Sequence, residues 1–383
     1  MPDRPAQGAE FDFAIIGAGI FGCYAALFLK SRGYKVILIE RETEIWQKAS
    51  IVNQARLHFG YHYPRSIATA VLANGHRERF YSDHEDCVNS AFTKYYGIDA
   101  FNSLTDAQQF SRFCSRIGIP SRIVERPDLL SSERIEALFE TTEYSFDPYL
   151  LRSKYISQLI DKEICLLSGT RVIGADETSG EWRIALEIPG HDRLDIQAHT
   201  VINATYSNLN AVNRLFGVRE LDLTHELSEI ALLNIPALDK VGLTIMDGPY
   251  FSVMPYGLSG LHSLSSVLYT HHSVSARSDP LFTCQSQTQH CWPETIGVCT
   301  TCPARPASNH AKMIRQMMLY VRDDIQSYYM GSLFTVKTKL QSSYIDDARP
   351  TEIGLLHTSP PFFSLFSGKI NSIYEVESVL DHV

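Results

Sequence analysis

The chain has no apolar run long enough to cross a bilayer uninterrupted. The one stretch that resembles a span, Phe11 to Leu29, is broken by Gly17, Gly19 and Gly22, and that spacing has its own explanation. Basic residues are also in short supply. Lys and Arg number 34 against 43 Asp and Glu, a formal net charge of -9. An acidic balance without Lys/Arg clusters argues against nucleic acid and against an anionic membrane surface. Met1 to Glu10 carry no basic segment followed by an apolar core, so a cytoplasmic location with reduced thiols is expected. Internal repeats and low-complexity tracts are missing too. What is there is ordinary for a globular protein: 44% hydrophobic and 20% charged residues. A length of 383 residues suffices for one large α/β body or two domains.

Along the chain, Phe11 to Ile16 reads as a short strand and Ile20 to Arg32 as a helix closed by Gly33. Lys35 to Ile39, rich in Val and Ile, reads as a second buried strand. This is the opening of a βαβ unit. Ser50 to Pro64 is polar, aromatic and His-rich without clear periodicity and reads as a loop or short helix carrying function. Helices are expected over Ile67 to His84, Asp106 to Ile117, Asp147 to Asp161 and His310 to Met330. Strands are expected over Thr170 to Ala175, Trp182 to Ile188, Arg193 to Asn203, Leu333 to Gln341 and Phe362 to Phe366, the last followed by a turn at Gly368 and a helix to about Leu380. From Leu221 to His272 the pattern is strand-rich, as in an antiparallel sheet.

Gly17-Ala-Gly19-Ile-Phe-Gly22 fits the pattern G-x-G-x-x-G. The first glycine allows a tight turn, the second a close approach of backbone to pyrophosphate, and the third close packing of helix on strand. The helix start then offers N–H groups and a positive dipole end to phosphate. Glu40 ends the second strand roughly twenty residues on, where a carboxylate accepts hydrogen bonds from a ribose. These features point to a bound dinucleotide and leave open whether it is FAD or NAD.

Four stretches resemble the D-amino-acid-oxidase-like flavoprotein superfamily: Asp12 to Arg41, Ala49 to Pro64, Thr200 to Asn208, and the C-terminal pieces Asp347-Ala-Arg-Pro-Thr351 and Ser367-Gly-Lys-Ile-Asn371. The second is similar to members that oxidise 2-hydroxy acids. The resemblance implies FAD as cofactor and a Rossmann-type FAD-binding domain of α/β class, joined to an α+β substrate domain with an antiparallel sheet. It implies a split layout: FAD-binding parts at 1–90, 146–220 and 343–383, and substrate-domain parts at 91–145 and 221–342, with an insertion at 273–307. It further implies cofactor contacts from Gly17, Gly19, Ile20, Phe21, Gly22, Glu40, Arg41, Ser50, Asn53, Gln54, Ala55, Arg56, Val172, Asn203, Ala204, Thr205, Arg349, Gly368, Lys369, Ile370 and Asn371. Departures exist. Tyr206 stands where relatives often have glycine, the Asp-Gly turn usual after Arg349-Pro350 is missing, and the insertion has no clear counterpart.

Chemistry then requires a base and a substrate clamp near the flavin. His58 is the first candidate base and His62 the second, either of them also suited to binding the flavin by hydrogen bond or covalently. Lys369 is a candidate to stabilise reduced flavin or assist its reoxidation. Arg56, Arg65 and Arg349 are candidates to hold a carboxylate through bidentate donors, and Tyr61 and Tyr256 to line the substrate pocket. In the insertion, Cys284, Cys291, Cys299 and Cys302 leave three states open: structural zinc, free thiols or a disulfide. No catalytic metal is expected. The expected activity is hydride transfer from a C–N or C–O bond of an amino acid, amine or 2-hydroxy acid to FAD, with oxygen or another carrier as electron acceptor, in specialised biosynthesis. A non-catalytic Rossmann module and an NAD(P)-dependent dehydrogenase are the competing classes.

Overall fold

The computed structural model describes residues 4–191, 193–341 and 352–381, except the side chains of Leu72 and Ser132. Arg349, and the rest of the Asp347 to Thr351 stretch, lie outside the described residues. Two sheets dominate those described. The first has eight strands and is built around Ala9–Ile16, which runs parallel to Val36–Ile39 on one side and to Leu194–Asn203 on the other. Ala14, Ile15, Ile37, Leu38, Val201 and Ile202 are fully buried, as expected of strands covered on both faces. Cys165–Leu167 extends the parallel edge beside Val36–Ile39. At the other edge, Leu194–Asn203 pairs antiparallel with Glu181–Glu187 through its first half and parallel with Pro361–Phe366 through its last residues. The C-terminal segment thus returns to the sheet that the N-terminus starts.

The helix Ile20–Ser31 packs Cys23, Ala25, Ala26 and Leu29 onto this sheet and ends at Gly33, whose φ of +92° is left-handed as the cap requires. Asp147 caps Pro148–Asp161 by accepting from the amides of Tyr149 and Leu150, both at 3.0 Å. Asp106 and Gln109 form a capping box at the start of Ala107–Ile117.

The second sheet has nine strands and is antiparallel except where Val241–Met246 runs parallel to Thr93–Asp99. Its longest members, Leu223–Asn234 and Tyr328–Leu340, pair along nearly their whole length. Two helix expectations need correction. Ile67 to His84 is two helices, Ile67–Gly75 and Arg77–Asp83, with Gly75 at the break. The helix from His310 stops at Met317 rather than Met330. Tyr320 and Val321 are instead drawn into the core, where Val321 bridges to Leu130 and Ser131 N donates to Tyr320 O at 2.9 Å. Tyr328 already begins the long strand. No helix among the described residues is long and apolar enough to cross a membrane.

Candidate active site

A cavity of about 1050 Å³ runs between the two sheets, lined at one end by Glu40, Arg41 and Val172 and elsewhere by His58, Thr244 and Lys369. Its wall next to the first sheet is the glycine motif. Gly17 has a φ of +99°, and a Cβ there would sit 2.8 Å from the carbonyl oxygen of Ala204. Gly22 lies behind the wall, where a Cβ would come within 1.9 Å of Gly17 O. Gly19, Ile20 and Phe21 face the cavity. Each glycine therefore does what the motif demands, turning the chain, opening the wall or closing helix on strand.

Glu40 lines the cavity beside the motif. Its Oε2 accepts from Ala18 N at 2.7 Å and its Oε1 from Glu42 N at 2.9 Å. An ionised carboxylate has about four acceptor positions, so a rigidly held Glu40 keeps capacity for ribose hydroxyls. Ser50 Oγ accepts from Ile20 N at 3.0 Å and fixes the helix start. Asn53 ties its own loop, accepting from Ala55 N at 2.7 Å, and Gln54 reaches Ser265 Oγ at 2.6 Å on the second sheet. Ser50, Asn53, Gln54, Arg56, Ala204, Thr205, Gly368, Lys369 and Ile370 all line the cavity. Ala55, Asn203 and Asn371 do not. Asn203 is buried and organises the Thr205 turn through Thr205 N and Oγ1, and Asn371 holds Ala73 O at 2.8 Å. They support the wall from behind.

Sequence reasoning missed Glu143, which is buried beside the cavity residues Arg56 and His58. The short strand Arg56–Leu57 pairs antiparallel with Tyr144–Phe146, Leu57 opposite Tyr144. Continuing that register by one residue sets His58 against Glu143. His58 Nδ1 is 3.8 Å from Glu143 Oε1, and Glu143 is 1% exposed. Glu143 Oε2 accepts from Tyr96 OH at 2.9 Å and stands 3.6 Å from Arg56 Nε. The only advance signal was the strand register, which spans 85 positions of sequence.

Arg56 lines the cavity while its guanidinium is tied to neighbouring side chains. Its Nη1 donates to His62 Nδ1 at 3.2 Å and to Tyr96 OH at 3.3 Å; its Nη2 donates to Thr244 Oγ1 at 3.2 Å and to Ser252 Oγ. With Nε 3.6 Å from Glu143, both terminal nitrogens hold protein groups, which braces this part of the pocket. Since arginine only donates, His62 Nδ1 must accept, which places the ring proton of neutral His62 on Nε2. His58 and His62 both line the cavity. Lys94, buried beside Arg56, donates to Thr244 Oγ1 at 2.6 Å, and burial pushes its ammonium well below the ordinary lysine range.

Two further expectations are corrected. Tyr61 is fully buried, donates to Pro120 O and does not line the cavity. Tyr256 is 1% exposed and donates to Ile51 O at 2.8 Å, a core residue too. Their places are taken by Tyr63, Thr244 and Ser252, and by Arg65, whose Nε donates to Asp247 at 2.7 Å. Lys369 does reach the same region. Its Nζ donates to Thr69 O at 3.2 Å and lies 5.2 Å from the ring centre of Tyr63.

The four insertion cysteines are all unbridged, with Cys284, Cys291 and Cys299 packed against Phe282, Ile296 and Val336. Among the described residues no three His, Cys, Asp or Glu side chains are arranged to hold a metal ion.

A fold of this kind with this cavity defines a dinucleotide-binding oxidoreductase. Residues 12–264 match the family model for FAD dependent oxidoreductases, DAO, and the chain belongs to that family. FAD is its cofactor, and it is an enzyme. It is 25% identical over 362 residues to a protein named FAD-dependent monooxygenase FPY4 from Fusarium mangiferae, covering 94% of this chain and 87% of that one. Among solved structures it resembles glycine oxidase from Geobacillus kaustophilus, with a TM-score of 0.71 at 14% identity over 96% of this chain and 92% of that one. It also resembles the FAD-bound L-alpha-glycerophosphate oxidase from Mycoplasma pneumoniae, with a TM-score of 0.69 at 13% identity over 96% and 92%.

Proposed function

We propose that this FAD-dependent oxidoreductase oxidises the C–O bond of a small polar hydroxy compound, a 2-hydroxy acid being the class to try first, with His58 as the base. When bound, FAD supplies the two-electron acceptor for the substrate hydride. The single observation that carries the reading is His58 at the cavity wall with the buried Glu143 carboxylate 3.8 Å from its Nδ1. An amine that binds uncharged can lose hydride without a protein base, whereas an alcohol must shed its hydroxyl proton as the hydride leaves. A histidine backed by a buried carboxylate suits the second task, the carboxylate orienting the ring and balancing the charge that it gains. His62, held as a donor by Arg56, is placed to hydrogen-bond the substrate oxygen, and Arg349 is the candidate for a carboxylate.

Anaerobic addition of paired 2-hydroxy and 2-amino acids, followed by the visible flavin absorbance, tests this. Bleaching by a hydroxy member supports it, and bleaching by amino acids alone overturns it. The name of the Fusarium relative favours a second reading, insertion of an oxygen atom. Isotopically labelled dioxygen distinguishes the two, since label appears in the organic product only for insertion.

A further inference from the structure

The insertion that begins after the second sheet's edge strand His271–Ser275 sends its tip across one end of the cavity. Trp292 and Thr295 exchange backbone hydrogen bonds at 3.1 and 2.9 Å, which closes a rigid four-residue turn. Trp292, Glu294 and Thr295 line the cavity. Two bonds pin this tip to the first sheet's side. Arg41 Nη2 donates to Ile296 O, and Asn208 Nδ2 donates to Glu294 O at 3.1 Å. Arg41 follows Glu40, and Asn208 follows the Ala204–Thr205 turn, so the tip spans the cavity from one rim to the other. The end it spans is the one where the Glu40 carboxylate places the ribose of a dinucleotide.

We propose that the turn Trp292–Thr295 is a clasp over the adenosine half of FAD, with Trp292 covering the adenine ring. Trp292 keeps 41% of its surface exposed at this rim, while Trp46 and Trp182 are 2% and 3% exposed in the core. An indole held on a short hydrogen-bonded turn is a ready stacking platform, and ordering it costs little because the turn is already fixed. The clasp adds to the glycine motif a contact from the opposite side, made by the insertion that follows the second sheet's edge strand. Cofactor retention thereby depends on the insertion as well as on the Rossmann unit.

The test uses flavin-free protein titrated with FAD, with FMN and with ADP, for the wild type, Trp292→Ala, Trp292→Phe and Gln289→Ala, the last an exposed site of the same insertion. The proposal expects the FAD dissociation constant of Trp292→Ala to rise about tenfold or more, as for loss of one base–aromatic stack. Trp292→Phe should recover most of that affinity, and Gln289→Ala should match the wild type. ADP should quench the wild-type tryptophan fluorescence and leave that of Trp292→Phe nearly unchanged. FMN, which lacks adenosine, should bind both proteins alike. Thermal melts of the flavin-free variants show whether Trp292→Ala is folded. Unchanged FAD affinity in a folded Trp292→Ala, or an equal loss for FMN, overturns the proposal. Unchanged affinity with a raised substrate KM would place the tip on the substrate's route instead.

Discussion

At the scale of single residues, His58 and Glu143 meet because Leu57 pairs with Tyr144, and Glu143 is then held by Tyr96 and Arg56 from its other side. A carboxylate with that many partners is a positioning group. Glu143→Gln keeps the shape and removes the charge. Its kcat should fall about ten- to a hundredfold with KM little changed, because the loss is confined to the proton transfer. Glu143→Asp should recover part of it, and steady-state kinetics with an unaltered flavin spectrum checks both. A general loss of folding would move KM and the spectrum as well.

Two buried histidines set a pH limit on stability. Burial pushes His84 and His225 down to about 4. Between about 4 and the unfolded value near 6.5, the unfolded chain binds protons that the folded chain refuses. Stability is therefore fully present above about 6.5 and falls as pH drops through that window. Both ring nitrogens of His84 are buried without a hydrogen-bond partner among the described residues, between Phe80 and Tyr155. His84→Leu should leave the neutral-pH melting temperature nearly unchanged and flatten its decline toward pH 5, as read by melting curves across that range.

At the scale of elements, the tightest constraint is the crossing of the helix Ile20–Ser31 over the first strand. A Cβ at Gly22 would overlap Gly17 O at 1.9 Å, and backbone cannot step aside there. Gly22→Ala should abolish FAD binding and lower the melting temperature, checked by flavin content after purification. This part of the molecule was legible in sequence because its rules are local: Gly17, Gly19, Gly22 and Glu40 act within one βαβ unit, and their spacing carries the geometry. Glu143, Thr244 and Ser252 were not legible. Nothing local marks a glutamate after a strand or a serine within one, and only sheet register brings them to Arg56 and His58. The helix expected beyond Met317 failed for a related reason. Leu319, Tyr320 and Val321 continue a helical apolar pattern, but pairing with the Leu129–Ser131 segment drew Tyr320 and Val321 out of it. Tyr61 and Tyr256 carry the reverse lesson: each aromatic, though in a functional stretch, is buried in the core with its hydroxyl on a backbone carbonyl.

At the scale of the whole molecule, the two sheets share a buried core and flank the cavity, which is the candidate site for FAD. Removing FAD should lower the melting temperature, and adding it back should raise it with the logarithm of its concentration above the dissociation constant. The most direct measurement is the anaerobic rate at which the bound flavin of wild type and His58→Gln is reduced by the best hydroxy acid, followed in a rapid-mixing instrument. The account predicts reduction of the wild type and a rate at least about a hundredfold lower in His58→Gln, with the oxidised flavin spectrum unchanged. Equal rates in the two proteins would contradict it.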